Sequence, residues 1–248
     1  MGASADAYHA GVRRHAGSLG LEVGATGTHL VCDPERVTTG SATSYPGPDL
    51  TVIFADPELS DVLAPIEGAT AISTDDFIAE AARLGGALVG IGHQRVLDGL
   101  LLDPGAVGSG LTRRILARDD AGDRELLAHF IEACGPDDAE EADLDLDELD
   151  PVIVVEVDHD GVIAAYGSGR PWDMDDRFDD IGVLVRPDLR GRRLGAMAVS
   201  AFVEHQRSHA PDWLPLYRCS QDNAGSNRTA ESLGFTMVQR IGAIRFAG

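Results

Sequence analysis

Residues 183 to 196, Val-Leu-Val-Arg-Pro-Asp-Leu-Arg-Gly-Arg-Arg-Leu-Gly-Ala, set arginines and glycines between an apolar run and the start of a helical repeat. Pro187 has no N–H to give a sheet ladder, so a strand that includes Val183, Leu184 and Val185 must stop near it. From Leu194 the apolar positions recur at helical spacing, through Met197 and Ala198 to Ala201 and Phe202. The turn between therefore opens a helix. Unsatisfied backbone N–H groups and the positive end of the helix dipole converge at such a place on an anion. Gly191 and Gly195 allow close approach, and Arg186, Arg190, Arg192 and Arg193 add charge. This is chemistry suited to a pyrophosphate.

Arg190-Gly-Arg-Arg-Leu-Gly195, preceded by Val185-Arg-Pro187, resembles the acyl-CoA-binding motif of the GNAT superfamily of N-acetyltransferases, Q/R-x-x-G-x-G/A after a V-x-P strand end. Arg190 and Gly195 match its first and last positions, while Arg193 stands where the motif has its middle glycine. A second segment, residues 223 to 235, Asn-Ala-Gly-Ser-Asn-Arg-Thr-Ala-Glu-Ser-Leu-Gly-Phe, is similar to the family's N-x-x-A/S…L-G-F stretch. The resemblance covers residues 112 to 248. It implies an α/β (α+β) fold: a mixed, mostly antiparallel sheet with flanking helices, whose central strands splay apart to admit acetyl-CoA. It also implies roles. The backbones of Val183, Leu184 and Val185 would pair with the pantetheine arm. The amides of Arg190, Gly191, Arg192, Arg193, Leu194, Gly195 and Ala196 would hold the pyrophosphate. Asn223 would fasten the pantetheine side, and Ser226 would face the cofactor.

The implied reaction is direct transfer of an acetyl group from acetyl-CoA to a primary amine of a small molecule or a peptide, in a ternary complex and with no metal. Such a transfer needs a proton acceptor for the amine and help for the leaving thiolate. For the base, the resemblance points to the start of the strand that feeds the motif, where Asp179 and Asp180 stand. Successive strand residues face opposite sides, so only one of them can enter the cleft, and Asp180 is chosen. Many family members carry a tyrosine as general acid seven residues after the asparagine; here that position is Ala230. Ser226 is the substitute chosen, with Tyr217, Cys219 and water as alternatives. Ala230 also keeps a second reading open, a catalytically decayed CoA-binding module that senses acyl-CoA or binds a partner.

The elements that must carry these residues can be placed by pattern. A strand from residue 111 leads into Asp119-Asp120, which can cap a helix with Leu126, Leu127, Phe130 and Ile131 on its apolar face. Residues 136 to 151 read as a solvated face or loop, because nine acids crowd between Asp137 and Asp150. Residues 152–157 and 161–170 form a hairpin around Asp158-His-Asp-Gly161. A loop containing Pro171-Trp172 and the acids up to Asp180 follows, then the strand 180–185 and a helix to about His209. Residues 215–220 give the next strand, 226–233 a helix closed by Gly234, and 236–241 with 243–247 a final pair of strands. Residues 1–111 read as a separate, smaller α/β module of unassigned role, with a degenerate GNAT-like half as the alternative. Its strands are expected at 50–55 and 88–92 and its helix at 78–84, with turns at Pro46-Gly-Pro48 and Asp103-Pro-Gly105. His93, after an apolar strand, is read as structural.

Composition narrows the partners. The 248 residues carry 41 acids against 20 bases, all of them arginine, for a formal net charge of −21. That excludes duplex nucleic acid as a favoured partner, and it requires local positive potential wherever an anionic cofactor binds. An acidic surface would instead attract a cationic amine. The three cysteines are far apart with no C-x-x-C pair, which suggests neither a disulfide framework nor a zinc site. No leader pattern and no run long enough to cross a bilayer is present, so a cytoplasmic, membrane-free protein is expected.

Overall fold

The computed structural model describes residues 2–34, 40–103, 111–117, 119–142, 153–157, 162–210 and 212–247. Among the described residues the α-helices run in chain order as α1 Ala3–Ser18, α2 Ser60–Leu63, α3 Thr74–Arg83, α4 Ala121–Cys134, α5 Pro136–Glu141, α6 Leu194–His209 and α7 Ala224–Ser232. The strands are β1 Gly27–Cys32, β2 Ser41–Pro46, β3 Leu50–Ala55, β4 Gly86–Val96, β5 Leu111–Ile115, β6 Ile153–Val157, β7 Val162–Trp172, β8 Asp175–Val185, β9 Leu214–Ser220 and β10 Thr236–Phe246.

The chain divides into two compact units, one of Met1–Val96, Arg218–Ala224 and Met237–Gly248, the other of Leu97–Tyr217 and Gly225–Thr236. The motif-based division at 111/112 cuts the chain once, whereas the first unit takes back two later segments. Strand pairing is the reason. β10 lies beside β2 in antiparallel register, Ala243 opposite Thr43, so the end of the chain belongs with its beginning. In the first unit the strand order is β1-β3-β2-β10-β4, with β1 and β3 parallel. Its core packs Ile53, Phe77, Ala81, Ile244 and Phe246 between the sheet and α3, which starts on a capping box formed by Ser73 and Asp76.

One expectation changes here. Residues 236–246 form one continuous strand rather than a pair, because Gly242 is not a turn. A Cβ there would lie 3.1 Å from Thr74 Cγ2 and 3.2 Å from Ile78 Cγ1, so glycine serves the close approach of α3. Helix α1 and strands β1 and β2 were not read from the sequence at all.

The second unit orders its strands β9-β8-β7-β6-β5, antiparallel except for β8 and β9. Helix α4 packs Leu127 and Phe130 on one face against Val154, Tyr166 and Leu184. On the other face α6 sets Leu194, Met197 and Ala198 against Ala164 and Ala165. Asp120 caps α4 as expected, its side chain accepting from the Asp123 N–H at 3.0 Å. The hairpin of β6 and β7 is present, while its turn at 158–161 lies outside the described residues. Pro171 and Trp172 end β7 instead of forming a loop, and β8 begins at Asp175 rather than Asp180. The edge between Trp172 and Phe178, with ring centroids 5.8 Å apart, stabilises this extension of the two strands. Of the acidic stretch 137–150, residues 136–141 form the short helix α5, and residues 143–150 lie outside the described residues.

Close packing between α6 and β7 depends on Gly167. A Cβ there would meet the Ala198 carbonyl oxygen at 2.8 Å, a backbone atom that cannot turn away. Gly167→Ala is expected to cost about 1–3 kcal/mol in urea unfolding, the range for overpacked cores; an unchanged midpoint would show that helix and sheet can separate freely.

Candidate active site

β8 pairs with β9 only at Phe178, Asp179 and Asp180, opposite Leu214, Pro215 and Leu216. Beyond Asp180 it continues to Val185, paired to β7 on its other edge, with Val183 opposite Gly167 and Val185 opposite Ala165. The edge from Ile181 to Val185 that faced β9 thus has no strand partner among the described pairs. Backbone N–H and C=O groups left this way need a ligand or water, and the splay expected from the sequence is present.

At the end of β8 a short 3₁₀ turn, Pro187–Leu189, leads to Arg190 and into α6. The first bond of the helix runs from the Met197 N–H to the Arg193 carbonyl at 3.1 Å, so the helix itself supplies no acceptor for the amides of Leu194, Gly195 and Ala196. No side chain caps the terminus. Gly191 has φ +80° with open space around its missing side chain. Amides left this way, with the positive end of the helix dipole, suit an anion. Arg193 takes φ 62°, the left-handed region, and is the sole described non-glycine residue to do so. The family motif places glycine at this position, and the backbone here shows why: an L side chain is strained there by roughly 1–2 kcal/mol.

Gly195 is buried, not part of an exposed turn. A Cβ on it would sit 3.2 Å from Val185 Cγ2 and 3.5 Å from Val183 Cγ2, so the first turn of α6 rests directly on the splayed strand. A large residue at Gly195 would disturb this packing as well as block a ligand. The arginine cluster is also less open than its sequence suggests. Arg190 donates to Asp138 of α5 at 2.5 Å and to the Val185 carbonyl at 3.2 Å. Arg186 is held by Asp188, which lowers the Asp188 carboxyl below its usual range. Positive potential at the turn thus comes in good part from backbone dipoles.

Asp179 and Asp180 do face opposite sides. Asp179 accepts from Gln206 of α6 at 2.8 Å; burial raises its carboxyl above the usual range, with that hydrogen bond opposing. Asp180 lies on the α4 face, half-buried, as the last residue of β8 paired to β9. Ser226 of α7 is hydrogen-bonded to Tyr217 of β9, oxygen to oxygen 2.9 Å. Tyr217 is buried with its ring edge-on to Phe235. The sequence offered these two hydroxyls as alternatives; the fold couples them. Ala230 is fully buried, under a backbone carbonyl that closes the helix by accepting from Leu233 and Phe235. Asn223 falls in the first unit, in the turn before α7, its N–H donating to the Ser220 carbonyl at 3.1 Å. Cys219 is half-buried in β9. Burial pushes the Cys134 thiol up to about 11, which makes it a poor nucleophile.

The acetyltransferase (GNAT) family matches residues 123–235. These residues are a GNAT acetyltransferase domain. Solved structures agree in fold. A GCN5-related N-acetyltransferase from Kribbella flavida is 16% identical, with a TM-score of 0.50 over 80% of this chain and 68% of that one. A GNAT-family acetyltransferase from Colwellia psychrerythraea is 13% identical, TM-score 0.51, over 79% and 76%. A tandem GNAT protein from the clavulanic acid biosynthesis pathway is 18% identical, TM-score 0.51, over 70% and 58%. No curated protein matches the chain. Among the described residues no helix is long and apolar enough to cross a membrane, and no cluster of three or more His, Cys, Asp or Glu is arranged to hold a metal.

Two substitutions test this geometry without a ligand. Arg193→Gly is expected to stabilise the fold by up to about 1–2 kcal/mol, offset in part by the looser unfolded chain; a loss of stability would place Arg193 in a compensating interaction instead. Asp179 has a raised folded pKa, so its stabilising contribution is complete below the unfolded value and lost as pH rises through the folded one. Asp179→Asn should therefore gain stability relative to the parent at pH 7, with the gain shrinking below pH 4. A difference independent of pH would contradict this.

Proposed function

We propose that the chain is an N-acyltransferase that moves an acetyl group from acetyl-CoA to a primary amine by direct transfer. The observation that carries this reading is the conjunction of an unpaired β8 edge from Ile181 to Val185 with an uncapped α6 N-terminus that rests on the same strand. The first suits the amides of a pantetheine arm and the second a pyrophosphate, held by the backbone from Arg190 to Ala196. Asn223 is kept as a candidate for the pantetheine side by its match to the family motif alone.

Acetyl-CoA supplies an activated acyl thioester when bound. The chain's own part is to bring an amine to it and move protons. Asp180 stands where β8 leaves β9, which is where the reacting end of a molecule lying along the splay would come to rest. Its carboxylate takes a proton from the acceptor ammonium, and the freed amine forms a C–N bond to the acyl carbon while the C–S bond breaks. Ser226, backed by Tyr217, gives a hydrogen bond to the departing sulfur, which takes its proton from solvent. Positioning does most of the work, since amine and thioester held together react as one molecule.

Acetyl-CoA at a hundred times its dissociation constant should add about 2.7 kcal/mol to stability, and thiol release should follow on adding primary amines. Asp180→Asn should lower kcat by roughly 10²–10⁴ with CoA affinity kept, whereas Ser226→Ala should cost at most about tenfold. Binding without turnover on any amine would favour the decayed sensor that Ala230 keeps in view. No thermal shift at millimolar acetyl-CoA would refute the binding site itself.

A further inference from the structure

Three oxygens converge on the α4 face of the second unit's sheet, and the transfer step leaves them without a role. Successive strand residues alternate between faces, so Tyr166 and Ser168 of β7 share this face with Leu184, Gly182 and Asp180 of β8. The register sets Tyr166 opposite Leu184 and Ser168 opposite Gly182. The Tyr166 hydroxyl donates to the carbonyl of Ala142, the residue that ends α5, at 3.2 Å. Its ring is fully buried and stands edge-on to Phe130, centroids 6.1 Å apart. Burial raises the phenol far above its usual range, so it stays a neutral donor. Ser168 is fully buried as well, and its Oγ has no hydrogen-bond partner.

A Cβ on Gly182 would lie 2.8 Å from the Tyr166 hydroxyl, 2.9 Å from the Ala142 oxygen and 3.8 Å from Ser168 Oγ. The first two distances are too short for a carbon to occupy, and neither oxygen can step aside. One belongs to the backbone, and the other ends a ring packed among Phe130, Val154 and Leu184. These atoms roof the strand at Gly182.

The roof matters because of where an acyl group at Asp180 could extend. Ahead of it β8 and β9 are paired through Asp180, Asp179 and Phe178, which closes that way. On the α6 face the next side chain is Ile181, buried at 4% exposure. On the α4 face the next residue is Gly182, which has no side chain to stop a chain lying on the strand; the roof fills that place instead. Gly182 lies about 6.8 Å along the strand from Asp180. Less the roughly 3.5 Å at which non-bonded carbons touch, this leaves room for one or two carbons beyond the carbonyl.

We propose that the roof of Tyr166, Ala142 and Ser168 over Gly182 sets the length of the acyl group, admitting acetyl and refusing chains of four carbons or more. This rests on the acyltransferase reading of the same open edge. A longer chain has to part the Tyr166 hydroxyl from the Ala142 carbonyl, which strands a buried acceptor, and to lay its methylenes against an unpaired serine hydroxyl. An acetyl group stops short of both. Tyr166 thus acts on specificity and touches no reacting atom.

The test uses the full chain with acetyl-CoA and butyryl-CoA, read as thiol release over a panel of primary amines and as affinity by calorimetry. The parent should prefer acetyl-CoA in kcat/KM by roughly tenfold or more, as one added methylene alone can do. Tyr166→Phe takes a hydroxyl out of the roof and should narrow that preference roughly tenfold, with butyryl-CoA gaining. Ser168→Ala gives up no hydrogen bond, so it should stay folded and narrow the preference in the same direction; it carries the test if Tyr166→Phe does not fold. A merely structural role would lower the use of both thioesters alike and leave their ratio unchanged. Equal use of the two thioesters by the parent, or a preference that neither variant narrows, would overturn the proposal. If no amine is turned over, the acyltransferase reading fails, and the ratio of the two affinities in parent and variants still decides the role of the roof. If neither thioester binds, both fall together.

Discussion

Everything assigned to this protein depends on where β8 stops pairing with β9. Three residue pairs, ending at Asp180 and Leu216, hold the strands together, and beyond them β8 runs on to Val185 with only β7 beside it. Five residues of strand edge are thus offered to whatever lies there. A buried or half-buried edge cannot stay unpaired at no cost, and the fold keeps it by fixing β8 from behind. Leu184 packs into the α4 core, and Gly195 lets α6 lie against Val183 and Val185. The same contact sets the helix N-terminus at the end of the open edge, so one packing decision aligns a hydrogen-bonding edge with the uncapped amides of α6.

Electrostatics adjust this arrangement. In a chain of net charge −21, an anionic substrate meets long-range repulsion that only short-range features can offset, since exposed charges are screened beyond about 8 Å at physiological salt. The arginines of the turn help less than their number suggests, because Arg190 and Arg186 are already held by Asp138 and Asp188. Backbone amides cannot be neutralised in this way. The Arg190–Asp138 pair also ties the turn to α5, the first part of the acidic stretch, so an anion that engages Arg190 competes with that tie.

The arginine and glycine turn, the helix after it and the strand before it were legible in sequence because each follows a local rule: a proline stop, a helical repeat, glycines at close approaches. Asp120 as a cap and Gly234 as a helix stop were legible for the same reason. What escaped were features set by contacts between distant segments. Gly242 looked like a turn and is a contact with α3. The acids before Asp180 read as part of a loop, yet Asp175 and Asp179 are buried in β8, the latter against Gln206 of a helix 27 residues on. The return of β10 to the first unit is a pairing with β2 nearly two hundred residues away, which no local pattern announces. The coupling of Tyr217 to Ser226 is likewise a contact between a strand and a later helix, and the sequence could only propose its members singly.

Amide hydrogen exchange with and without acetyl-CoA addresses the central claim directly, because it reads the backbone groups on which the site is built. Protection is expected to rise at residues 181–185 of β8 and at Leu194, Gly195 and Ala196, with β5 and β6 unaffected. Protection that appears elsewhere while these amides exchange as before would contradict the account.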